Sequence, residues 1–358
     1  MARKLILLFF AFLVLTFPAT AADVSLEALQ EAGHWKRLRR MVEPQAANPQ
    51  NAQSAYFLSC VKTAFGDLDG ALELAQRAVS LEPGNSKYHQ QLAVASGRKA
   101  NKASFFKKMS LGGQYKTEIK KAVELDPKNL DALWELMEFY KNAPGIAGGD
   151  PKKARSLAED IMRLNPAKGY LALAELATPG KQDADIEDYY RKAAQADPKS
   201  YEVQIRLAWF YLSDRQKKYD LADKHAKQAI SLDPARIGAY KVMAAVRARQ
   251  QHWQDLDAIL AQAETVVPDD LSTYFYAGLE ILLGGKDPSR AERYLRKYLT
   301  QEEAEAYAPH LSRAHWRVGQ ALEKQGRKTE AIAEVETALR LEPDLEVAKK
   351  TMKVLKDQ

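Results

Sequence analysis

The side chains best suited to metal binding or catalysis are the six histidines, His34, His89, His225, His252, His310 and His315, the single cysteine Cys60, and the carboxylates Asp183, Asp185, Glu187 and Asp188. A zinc hydrolase would place two histidines four apart on one helix face with a glutamate between them, and a structural zinc would add cysteines at short spacing. The histidines here are scattered and fit neither pattern. The four carboxylates lack the glycine that bends a calcium loop and read as the start of a helix, where acidic groups favour the positive end of the dipole and cap free amides. Ala143 to Pro151 is rich in glycine and proline, yet it lacks the Gly-Lys-Ser/Thr ending and the preceding strand of a phosphate loop. No serine or cysteine sits in a nucleophile motif. The chain is therefore expected to have no catalytic residue, no cofactor, no metal and no small-molecule substrate.

The elements that carry these residues are set out by a ladder of prolines at Pro49, Pro83, Pro127, Pro166, Pro198, Pro234, Pro268 and Pro343, spaced 34, 44, 39, 32, 36, 34 and 75 residues apart. A period near 34 marks a solenoid, and the last gap hides one degenerate copy. Ala78, Ala122, Ala193, Ala229, Ala263 and Ala338 each lie five residues before a ladder proline. Seven residues earlier stand Ala71, Ala154, Ala222 and Ala331, with Tyr115, Ile186 and Leu256 in the deviating copies. Small residues seven apart share a helix face and let another helix approach closely. The proline then stops that helix. Upstream of it, spacings such as Leu207, Ala208, Tyr211 or Val318, Gly319, Leu322 give a second helix. Each unit is thus a helical hairpin, and the fold is expected to be all-α, a right-handed α-solenoid of stacked helix-turn-helix units.

This pattern resembles the tetratricopeptide repeat (TPR) family over roughly residues 52 to 345, best in the last copy through Val318, Gly319, Leu322, Gly326, Ala331, Val335, Ala338 and Pro343. Eight units follow at approximately 52–85, 86–129, 130–168, 169–200, 201–236, 237–270, 271–311 and 312–345. Residues 23–51 read as N-terminal capping helices and 346–358 as a lysine-containing C-terminal cap. The resemblance implies a concave groove lined by first helices, and the family register points Tyr56, Trp134, Trp209, Phe275 and Trp316 into it as aromatic anchors. A shift of one residue would instead put Trp134 and Trp316 in the core. Lys241, Arg313 and Arg317 fall on the same surface and partly resemble a carboxylate clamp, although Ala245 and Tyr276 stand where that clamp has asparagines.

Two units depart from the period through insertions between their helices, near 97–113 and 143–151, and neighbouring loops of a solenoid emerge along one edge. The two are expected to be neighbours in space. No acidic residue occurs between Glu82 and Glu118, whereas Arg98, Lys99, Lys102, Lys107, Lys108 and Lys116 do. Together with Phe105, Phe106 and Met109 this stretch suits an anionic membrane surface or acidic polymer. Alternatively it forms a solvated helix whose phenylalanines pack on the next unit.

At the start, Arg3 and Lys4 precede an apolar run, Leu5 to Phe17, and then Pro18-Ala19-Thr20-Ala21-Ala22. Those parts make a secretory signal peptide over residues 1–22, cut after Ala21 or Ala22. The run is too short for the roughly 20 residues of a membrane span. The expected location is periplasmic or secreted. The 53 basic and 47 acidic side chains give a net charge of +6, or about +4 once Arg3 and Lys4 leave with the signal. One cysteine excludes an internal disulfide. These features point to a non-enzymatic scaffold of the cell envelope that holds an extended peptide or helix in its groove. The alternative is a peripheral protein using the basic insertion. Nucleic acid is not an expected partner of an exported chain.

Overall fold

In half the helices of the array an asparagine, aspartate or serine side chain accepts the free amides of the first turn, as Asn51 does from Ser54, Asp67 from Gly70, Asn129 from Ala132 and Ser200 from Val203. The computed structural model describes residues 25–45 and 48–357. The signal segment, 1–22, lies outside the described residues. Two short helices, α1 (Leu26–Ala32) and α2 (Trp35–Val42), come first. Hairpins follow: α3 (Ala52–Phe65) with α4 (Leu68–Leu81), α5 (Ser86–Ala100) with α6 (Phe105–Leu125), α7 (Leu130–Asn142) with α8 (Pro151–Leu164), and α9 (Pro166–Leu176) with α10 (Asp183–Ala196). The second half pairs α11 (Tyr201–Leu212) with α12 (Tyr219–Leu232), α13 (Ile237–Gln250) with α14 (Trp253–Val266), α15 (Ser272–Gly284) with α16 (Pro288–Tyr298), and α17 (Leu311–Glu323) with α18 (Lys328–Leu341). Helix α19 (Glu346–Asp357) closes the series. The fold is an all-α solenoid, with no strand among the described residues.

The small residues of the ladder sit where two helices cross. Ala71, Ala78, Ala122, Ala193, Ala222, Ala229, Ala331 and Ala338 are wholly buried. At Gly319 the approach is closer still, because a Cβ there would lie 2.7 Å from Val335 Cγ2 and 3.2 Å from the Ala331 carbonyl. Overfilling of that kind costs about 1–3 kcal/mol. Core contacts pass from unit to unit: one cluster joins α13 to α19 through Leu260, Tyr298, Trp316, Val335 and Leu355. Stability is therefore shared between neighbours.

The first insertion is largely helical rather than a connecting loop. Helix α6 has 21 residues against 14 in α4, α8, α12 and α18, so it takes up seven of the added residues at its N-terminal end. Gly112 and Gly113 lie inside it, despite costing about 1 kcal/mol each relative to alanine, because buried Leu111 and Ile119 hold it to the core. The second insertion is a true loop with one 3-10 turn, Gly145–Ala147. The two meet at Gly148, where the Lys116 ammonium lies against the glycine.

Candidate functional site

The first helices α11, α13 and α15 form a continuous wall. The Trp209 ring on α11 reaches past α13 to stand edge-on to Tyr276 on α15, with centroids 6.3 Å apart. Lys241 on α13 lies 5.7 Å from the Tyr276 ring and 3.5 Å from the buried Asp270 carboxylate. Arg249 on α13 fixes the wall below them, donating to the Leu212 carbonyl of α11 and to Glu280 of α15, each at 2.7 Å. Trp209 keeps 39% of its surface exposed, while the Lys241 side chain is 16% exposed and held by Asp270. Trp134 is half-buried with the Arg206 guanidinium 5.2 Å over its ring. Arg313 is exposed, and Arg317 stacks 4.1 Å over Trp316 while donating to Gln320. Burial, and then the neighbouring Arg313 charge, hold the Arg317 pKa below its ordinary value.

Three of the expected groove aromatics are engaged elsewhere. Phe275 is buried at 5% exposure against Tyr298, with centroids 5.4 Å apart. Trp316 is 9% exposed, and its indole N–H donates to Thr351 of the terminal helix at 2.9 Å. Neither lines the groove: helix α19 covers the face on which Trp316 lies, and α16 covers Phe275. Tyr56 stacks on Tyr88 at 5.2 Å and contacts Gln30 of α1 and Cys60, with burial raising its hydroxyl pKa. The tyrosine is thus roofed by the N-terminal cap.

That cap does more than end the array. Helix α2 packs Leu38 and Val42 into the core beside α3, and its basic face reaches across to the sixth and seventh units. Lys36 Nζ donates to the carbonyls of Asp269 (3.0 Å) and Glu303 (2.5 Å). Arg37 and Arg40 both pair with the Asp269 carboxylate, at 2.8 and 2.9 Å. Arg39 takes Glu303 in a forked contact. Glu305, 4% exposed, accepts the backbone amide of Lys36 at 3.1 Å and so caps the first turn of α2 from another part of the chain. Burial raises the Glu305 carboxyl to about 7. In the same loop, between α16 and α17, Tyr307 adopts a left-handed backbone (φ 62°). Its ring is edge-on to Trp35 at 5.8 Å and receives Arg98 of α5 at 5.8 Å.

The basic insertion separates into two parts. Arg98 and Lys99 are engaged, by Tyr307 and by Asp69 at 2.5 Å. Lys102, Lys107 and Lys108 are exposed and form no ion pair among the described residues. Phe105 and Phe106 are 69% and 84% exposed, so they do not pack on the next unit. The acidic residues near 183 hold local partners: Asp183 accepts the Gly180 amide, and Glu187 pairs with Lys218. Among the described residues no three histidine, cysteine or carboxylate side chains converge as metal ligands.

A family model for the tetratricopeptide repeat matches residues 312–345, the hairpin α17–α18. The last hairpin is a tetratricopeptide repeat. The TPR solenoid is similar to the crystal structure of yeast Tom70, with 15% identity and a TM-score of 0.50 over 92% of this chain and 86% of that one. It is also similar to TTC0263, a thermophilic TPR protein of Thermus thermophilus, with 20% identity and a TM-score of 0.45 over 52% and 96% of the two chains. A TPR protein of Parabacteroides merdae gives 15% identity and a TM-score of 0.46 over 74% and 98%. No curated protein matches the sequence.

The sequence left Glu303, Glu305 and Tyr307 unassigned, and noted Tyr276 only as a departure from the clamp. The available signal was charge: Lys36, Arg37, Arg39 and Arg40 crowd one short helix, and Glu302, Glu303 and Glu305 crowd the longest loop of the second half.

Proposed function

We propose that this chain is a non-enzymatic scaffold of the cell envelope that binds an extended peptide or helix along its wall of first helices. The observation that carries this is the Trp209–Tyr276–Lys241 cluster, where the exposed Trp209 ring, the half-buried Tyr276 ring and an ammonium stand on helices that Arg249 holds in fixed register. Rigid aromatics supply apolar contact at low entropic cost, and the charges orient the partner. Arg313, Arg317 and Trp134 flank the cluster and would widen the footprint. The envelope assignment rests on the signal-like residues 1–22. The test is retention of envelope proteins by the immobilised chain: Trp209→Ala should lose the retained partner while keeping full helical circular dichroism. Unchanged retention would remove the groove reading.

A second reading is favoured by the exposure of Phe105 and Phe106. In it, the basic stretch 98–116 rests on an anionic surface, as a peripheral protein does.

A further inference from the structure

The two insertions share one edge of the solenoid, because each occupies the turn inside its own hairpin and the hairpins are adjacent. Gly97 of α5 stands opposite Tyr115 of α6, and Leu111 is the first buried residue of α6. The six residues before it run past the end of α5, about 9 Å of helix at 1.5 Å per residue. Residues 104 to 110 are all exposed, and at the tip Phe105 and Phe106 stand edge-to-face with Met109 one turn behind. Beside this prong, the loop 143–150 is held by bonds from the Gly148 amide to Gly145, from Gly149 to Pro144 and from Asp150 to Tyr140. It presents Ile146 with 99% of its surface free. Lys116 joins the two, lying against Gly148 with its ammonium 5.8 Å from the Phe139 ring.

Charge on this edge is one-sided. The nearby carboxylates are already engaged, Asp67 by Lys62, Asp69 by Lys99, and Asp150 by the first amides of α8 and by Lys153. Lys102, Lys107, Lys108 and Lys152 remain exposed and without an ion pair among the described residues. The apolar side chains sit on convex tips rather than in a groove. A protein partner would need a matching pocket for each tip, whereas a bilayer accepts a convex wedge anywhere on its surface. Lysine stems beside the wedge would lie along the interface with their ammonium groups among anionic headgroups.

Resting on the second reading above, we infer that the prong tip Phe105–Met109 and the loop tip Ile146 together form a docking edge for an anionic lipid bilayer. Flotation of the full chain with phosphatidylcholine vesicles, with and without about a third phosphatidylglycerol, tests it. Binding should require the anionic lipid and weaken at high salt. Phe105→Ser/Phe106→Ser should reduce affinity about tenfold and Ile146→Ser about threefold, with helicity unchanged because these side chains are exposed and lie outside the core. A fluorophore on Ile146→Cys should shift to the blue as vesicles are added. If the double variant loses binding while Ile146→Ser and the fluorophore are silent, the second reading stands and the shared edge is overturned. No vesicle binding, or equal binding to neutral vesicles, overturns both. So does loss of a protein partner by the double variant when no lipid binding is seen.

Discussion

Arg39 on the second helix and Glu303 in the loop of the seventh unit meet in a forked ion pair, 3.2 Å from Nη1 to Oε1 and 2.5 Å from Nη2 to Oε2, across a separation of 264 residues. Their pKa values move apart accordingly, Arg39 upward and Glu303 downward, chiefly through this hydrogen bond. With Lys36, Arg37 and Arg40 on Asp269 and Glu305, the pair ties the beginning of the array to its far end.

Breaking the tie should loosen the N-terminal helices without unfolding the hairpins. Arg39 is 29% and Glu303 49% exposed at the side chain, so the pair contributes about 1 kcal/mol or less. Arg39→Glu adds repulsion and should lower hydrogen-exchange protection in α1 and α2 roughly fivefold. The swap Arg39→Glu/Glu303→Arg should recover most of it. Equal protection in all three proteins would show that the ion pair does not hold the closure.

The closure should also weaken as pH rises. Glu305 has a folded pKa of about 7 against an ordinary 4.5; burial is the main cause and the Asp270 charge adds to it, opposed by Lys36 and the Ala306 amide. The folded state therefore binds more protons than the open one between these values, and stability falls as pH climbs from 4.5 to 7. The span corresponds to roughly 3 kcal/mol. Glu305→Gln keeps an acceptor for the Lys36 amide and should flatten this slope. His34, held below its ordinary value by burial and by Arg37, acts in the opposite sense as pH falls through the imidazole range. The measurement is thus the difference between wild type and Glu305→Gln in α2 protection from pH 4.5 to 8. A difference that does not change with pH would remove Glu305 as the titrating group.

Trp209 and Trp316 should part company on mutation. Trp209→Ala removes an exposed ring and should leave the denaturation midpoint nearly unchanged while reducing partner retention. Trp316→Ala empties a core site and orphans the Thr351 contact, so it should cost about 3–5 kcal/mol. Urea melts of the two variants separate these outcomes.

Cys60 should report opening of the cap. Burial pushes its thiol up to about 12, and Gln30 of α1 contributes to its cover, so a thiol reagent at pH 8 should label it at least 100-fold more slowly than a free cysteine. Arg39→Glu should accelerate labelling in step with the lost protection. Labelling at the free-cysteine rate in wild type would contradict the burial.

Much of this architecture is written locally. The prolines and alanines fix helix ends and crossings within a single unit, and local signals of that kind survive without an alignment. The errors have particular causes. The solvated-helix reading packs Phe105 and Phe106 on the next unit, yet α6 carries them past the end of α5 and leaves them exposed. Trp316 reads as a groove residue because the family register knows nothing of Thr351 on α19, beyond the last repeat. The Arg39–Glu303 closure has no periodic signature at all, since it depends on how far seven hairpins turn the superhelix before its start meets its loop.

That meeting imposes an order on biogenesis. Translation at about 5–20 residues per second leaves an interval of roughly a quarter of a minute to a minute between emergence of Arg39 and of Glu303. During it, the four cations of α2 have no acidic clasp and Tyr56 has only a loosely seated roof. A nascent-chain chaperone or a ribosomal RNA surface would meet a different amino-terminal face from the one the finished protein displays.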